Sequence, residues 1–259
     1  MSHESHNTMT QTMTELCEPD SALTQSIAAM LARSGQFASM LALGGLLAVV
    51  MLAPDLAAAE STPIKLTDPK TGSFPDLMLE NWKERSFNGN TQYEIVQAGG
   101  AQVLKGSSDD AASVLYKEEK ISVKDTPWVN WSWRVENTLG PIDETTRAGD
   151  DYAARMYVVV STGFMPWESI AVTYVWSSSA EKGTHWFSPF TEKSMMVALQ
   201  SGDEELGQWK NERRNIVADF KEFFDMDIDE IDGYAVMVDS DNSDQMATGY
   251  FGNITFSEK

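Results

Sequence analysis

Trp128–Glu136 reads WVNWSWRVE, and its alternation decides the fold class. Successive side chains of a strand point to opposite faces, so Trp131, Trp133 and Val135 share one side, and Ser132, Arg134 and Glu136 share the other. The same period recurs along the chain. Tyr152–Val160 (YAARMYVVV) puts Ala154, Met156, Val158 and Val160 on an apolar face, with Arg155 and Tyr157 opposite. Ser169–Trp176 sets Ile170, Val172, Tyr174 and Trp176 against Ala171, Thr173 and Val175. Met195–Gln200, Ile231–Val238 and Gly249–Phe256 complete the strong set. Weaker strands are predicted near Trp82, at Tyr93–Gln97, near Val103, at Val114–Tyr116 and at Glu212–Val217. One helix of about two turns is predicted from Asp219, which has capping-box spacing to Glu222 and places Phe220, Phe223 and Phe224 toward a sheet. About ten strands with one short helix predict an all-β chain, a two-sheet β-sandwich of jelly-roll type forming a single domain over 60–259.

The first 59 residues read differently. Phe37–Ala53 (FASMLALGGLLAVVMLA) is apolar and uncharged, Arg33 precedes it, and Pro54 and Asp55 end it. Small residues in Leu56-Ala57-Ala58-Ala59 suit signal-peptidase cleavage after Ala59, so 1–59 is read as a polar extension plus a secretory signal peptide. The run is shorter than the about 20 residues of a membrane span, although an uncleaved anchor is the competing reading. Met30 opens a segment that would serve as a conventional signal by itself. No twin arginine precedes the run and no cysteine follows it, so general export without a lipid anchor is expected. The mature protein is expected to be periplasmic or secreted, with no stable membrane span.

Charge and residue inventory narrow the chemistry. The chain carries 39 Asp plus Glu against 19 Lys plus Arg, a formal charge of −20 that disfavours nucleic acid and anionic membrane surfaces as partners. Cleavage after Ala59 removes five acids and one base, leaving a net −16. It also removes Cys17, His3 and His6, so stability must come from a core without disulfides. With His185 as the remaining histidine, His/Cys zinc sites and thiol catalysis are excluded for the mature chain. No G-x-S-x-G elbow supplies a serine for a triad, and no glycine-rich phosphate loop follows a strand.

Carboxylate, guanidinium and aromatic chemistry remains. Indole faces can stack on sugar rings while Asp, Asn and Arg take the hydroxyls. Trp131 and Trp133 read as core. Trp167 and Trp186, read as loop residues, are candidate sugar platforms, and Trp176 and Trp209 are further candidates. Arg155 and Tyr157 line either a charged groove or a buried site in which Asp150 or Asp151 holds the guanidinium. The run Asp239-Ser240-Asp241-Asn242-Ser243-Asp244 places oxygen ligands close together, so Asp239, Asp241 and Asp244 are a candidate calcium set. It is not an EF-hand, and a solvated turn capped by its own side chains is the alternative.

The order WSWRVE, GDDYAARMYVVV, SIAVTYVW, MMVALQSG, WKNERRNIVADFKEFF and IDGYAVMVDSDNSDQMATGYFGNITF resembles a bacterial family catalogued as domain of unknown function 3047. The likeness runs from about Trp82 to Phe256. Its specific parts are Gly149–Arg155, Tyr174–Trp176, Arg214-Asn215 and Asp239–Asn242, with Ser243 where the family tends to have threonine. The resemblance implies an exported sandwich with no assigned activity, and it adds Arg214 and Asn242 to the candidate ligand-binding residues. Three functions stay open: a non-catalytic binder of a glycan or another polyhydroxylated ligand, a glycan hydrolase, and a structural envelope protein. The hydrolase needs two of Asp150, Asp151, Glu168, Asp239 and Asp241 on one groove.

Overall fold

The computed structural model describes residues 72–98, 100–163 and 168–258. The apolar run, the cleavage site after Ala59 and Trp167 lie outside the described residues.

Among the described residues, twelve strands build two sheets. They are β1 Lys83–Asn88, β2 Gln92–Ala98, β3 Ala101–Asp109, β4 Ala112–Ser122, β5 Trp128–Val135, β6 Arg155–Ser161, β7 Ser169–Ser177, β8 His185–Ser188, β9 Thr191–Ser201, β10 Lys210–Asn215, β11 Glu230–Asp239 and β12 Met246–Ser257. One sheet of seven runs in the order β1-β4-β11-β6-β7-β9-β8, and one of five in the order β10-β5-β12-β3-β2. Every pairing is antiparallel except β7 with β9. The strand alternation read from the sequence therefore yields the all-β two-sheet sandwich, and β8 is the one strand it did not announce.

The core lies between the sheets. Trp131 and Trp133 from β5 meet Tyr174 and Trp176 from β7, with ring centroids 5.1 Å apart for Trp131–Tyr174 and 6.2 Å for Trp133–Trp176. All four rings are at most 1% exposed. Met156 and Val158 of β6 and Val236 and Val238 of β11 point the same way. Aromatic side chains bury large areas in such a core and gain further from edge-to-face contact.

The helix starts earlier than the capping-box spacing suggested. It is α1, Ile216–Phe224, and its N-cap is Asn215, whose side chain accepts from the Ala218 N–H. With Asn215 capping, Asp219 sits inside the first turn and is nearly fully buried, accepting from the Tyr174 hydroxyl at 2.6 Å and from Arg214. Phe220 is buried, while Phe223 packs on His185 and Phe224 on Phe187 of β8. The predicted strand Glu212–Val217 stops at Asn215 for the same reason.

Candidate functional site

The charged residues converge at one end of the seven-stranded sheet, on the face turned away from the core. Arg155 opens β6 and pairs across the sheet with Met237 of β11 and Val175 of β7. Two residues beyond Met237, Asp239 ends β11 on the same face. Arg155 is 2% exposed. Its Nε donates to Asp239 Oδ1 at 2.8 Å and one Nη to Asp239 Oδ2, a two-pronged ion pair. The other Nη reaches Asp150 Oδ2 at 3.4 Å, and the Asp150 carbonyl also accepts from the guanidinium. The Tyr152 ring stacks against it at 4.3 Å.

Of the two partners foreseen for Arg155, the structure selects Asp150 and adds Asp239. Asp151 faces the acidic loop instead. It accepts from Asn242 N at 3.2 Å, Asn242 Nδ2 at 3.0 Å and Ser243 N at 2.6 Å, which pins the loop joining the two sheets. A local cause holds this arrangement together. A Cβ on Gly149 would lie 2.3 Å from the Asp143 carbonyl oxygen, so the chain can pass there only as glycine before delivering Asp150 and Asp151.

The carboxylates crowd one another. Asp151, Asp239 and Asp241 each present an oxygen within 4.8 Å of the others. Asp244 is not among them: it occupies a left-handed turn position (φ 52°) and points to solvent, so the third carboxylate comes from Asp151. Burial pushes Asp150 up to about 6, with Arg155 opposing. Asp239 is raised by the same desolvation against the pull of Arg155. Asp241 is raised by burial and then by Asp151. Burial works against the charge of Arg155, yet Asp239, Tyr157 and Asp150 outweigh it and keep the guanidinium protonated.

Asp150, Arg155, Asp239, Asp241 and Asn242 line a small, solvent-open recess together with Phe87, Ala112, Phe190 and Met237. Phe87 and Phe190 carried no signal in the sequence, because neither belongs to a motif and each reaches the site from a different edge of the sheet. Tyr157 lies one turn of the pleat further along β6, buried, with its hydroxyl directed at Met237 Sδ.

The tryptophan candidates go elsewhere. Trp176 is fully buried between the sheets and donates to the Gly202 carbonyl, so it has no free face for a sugar. Trp209 is 6% exposed and packs on Ala101 and Val103. Trp186 is in strand β8 rather than a loop; half-buried, it donates to the Glu144 carbonyl. Arg214 ties β10 to α1 through Asp219 instead of facing the pocket. Glu168 sits by the β6–β7 connection, where Thr162 N donates to its carbonyl, at the end of β6 opposite Arg155.

Three solved structures to which the chain is distantly similar are the glycoside hydrolase domain of Endo-D from Streptococcus pneumoniae R6, a family 11 carbohydrate-binding module from Clostridium thermocellum in complex with a β-1,3-1,4-mixed-linked tetrasaccharide, and CBM28, a module specific for non-crystalline cellulose. The first is 12% identical with a TM-score of 0.36, covering 69% of this chain and 22% of that one. The second is 12% identical with a TM-score of 0.39, covering 71% and 92%. The third is 14% identical with a TM-score of 0.40, covering 73% and 93%. No curated protein matches the chain. The family model described as protein of unknown function (DUF3047) matches residues 80–255, and the chain belongs to that family.

Proposed function

We propose that this is an exported, periplasmic or secreted β-sandwich that binds a glycan or a similar polyhydroxylated ligand without transforming it, at the Arg155 pocket. The observation supporting this reading is the meeting of the half-buried Phe87 ring with the half-buried Asp241 and Asn242 side chains at one recess, backed by buried Phe190, Asp150 and Arg155. Apolar faces beside a few fixed polar groups are what a sugar ring, with its C–H faces and equatorial hydroxyls, requires. Arg155 pairs with Asp239, and three N–H donors hold Asp151 in place.

A glycan array with the purified protein tests the reading. Phe87→Ala and Asn242→Ala should each weaken retention on any hit by at least about tenfold, as loss of a stacking or hydrogen-bonding partner does. An array without hits, or hits indifferent to both substitutions, refutes it. One observation favours hydrolysis as a second reading. Asp150 and Asp241 are carboxylates lining the same recess, the pair of acids that glycoside hydrolysis uses, and burial pushes Asp150 up to about 6. Release of reducing ends from a hit, abolished by Asp150→Asn, would establish it.

A further inference from the structure

We propose that the Asp151–Asp239–Asp241 cluster, with Asp150 on the wall of the adjoining pocket, is a binding site for a hard divalent cation of the size of calcium. Oxygens bound to one calcium at 2.3–2.6 Å can be no more than about 5.2 Å apart. The three carboxylates already satisfy that limit, with oxygens within 4.8 Å of one another. They come from two segments distant in sequence, the start of the β6 lead-in and the end of β11, and the Asp151 hydrogen bonds to Asn242 and Ser243 hold those segments together.

A second, independent feature points to a ligand. Asp150 is 1% exposed and lines the same pocket as Asp239 and Asp241, yet its Oδ1 is buried with no hydrogen-bond partner. A buried carboxylate oxygen left unsatisfied costs the full desolvation of that atom. A cation, or a water bound to one, supplies what is missing. The local charge agrees: four carboxylates gather around the single guanidinium of Arg155. The first-rank ligands also keep capacity to coordinate. A carboxylate has about four lone-pair sites, whereas Asp239 accepts two hydrogen bonds and Asp151 three.

The donors are all oxygen, which selects a hard cation over zinc or copper. Three carboxylates fall short of the 6 to 8 oxygens calcium takes, so water completes the shell, and affinity belongs in the range of extracellular modules, Kd about 10⁻⁴–10⁻³ M. The inference shares Asp150, Asp239 and Asp241 with the proposed glycan recess, but calcium binding needs only the carboxylates and is read without any glycan.

Purified protein stripped with a chelator and titrated with calcium chloride tests it, by calorimetry and by thermal melting. Calcium at about 100 times Kd should raise Tm by roughly 5–10 °C. Asp241→Asn, at a half-buried position, should remove most of the shift, while Asp244→Asn should keep it. Asp150→Asn should weaken calcium binding severalfold. No heat and no Tm change with calcium in the wild type overturns the proposal. So does a shift that survives undiminished in Asp241→Asn, or a response to magnesium alone.

Discussion

Replacing Arg155 with Met removes the guanidinium while keeping an aliphatic stem of similar length. Asp239, 1% exposed, would lose both donors to its carboxylate, and Asp150 would lose the donor to Oδ2. Breaking a buried ion pair by deleting one partner costs about 3–5 kcal/mol, because the remaining charge stays desolvated. Against a typical total of about 5–15 kcal/mol, that is a large share of the stability. With a urea m-value of about 2–3 kcal/mol/M for a domain of this size, the unfolding midpoint should fall by about 1–2.5 M. The measurement belongs in chelator, so that no metal ion offsets the lost positive charge. Arg155→Met with Asp239→Asn should recover much of the loss, as expected for coupled neighbours. Arg155→Lys should still cost about 1–3 kcal/mol, since an ammonium cannot reproduce the two-pronged contact. A loss below about 1 kcal/mol for Arg155→Met, or no recovery in the double variant, would refute the buried-pair account of this residue.

Gly149→Ala forces a methyl against the Asp143 carbonyl at 2.3 Å and should destabilise by about 1–3 kcal/mol in thermal melts; an unchanged melt would contradict the close approach. Trp176→Ala should cost about 3–5 kcal/mol by chemical denaturation, a core-sized loss, while half-buried Trp186→Ala should cost clearly less. Asp219→Ala leaves the buried Tyr174 hydroxyl and the Arg214 guanidinium without their acceptor, and about 2–3 kcal/mol of stability should be lost in the same assay. Mass spectrometry of the protein from an envelope or culture fraction should find an N-terminus near Glu60, and an intact chain starting before the apolar run would overturn export with cleavage.

Local periodicity carried the fold class. Side chains of an extended chain alternate whatever lies beyond, so WVNWSWRVE and YAARMYVVV declared their strands and their apolar faces from adjacent residues alone. The same alternation put Arg155 and Tyr157 on the face away from Met156 and Val158, where they are found. Inventory leaves His185 as the one histidine after Ala59 and no cysteine there.

Contacts between distant residues carried no such signal. Alternation states which side Trp176 faces, and only the five-stranded sheet lying over that side turned a candidate sugar platform into core. Asp244 follows Asp241 closely in sequence, yet the turn sends it to solvent and the cluster takes Asp151 from the far side of β11. Asn215 rather than Asp219 caps α1, because Asp219 was needed to hold Arg214 and Tyr174. Arg155 and Asp239 are 84 residues apart, and their pairing depends on β6 lying beside β11 in the sheet. Composition and spacing determine what each strand presents to its two faces. Which strands become neighbours depends on burying all those faces together, and only the folded chain decides that.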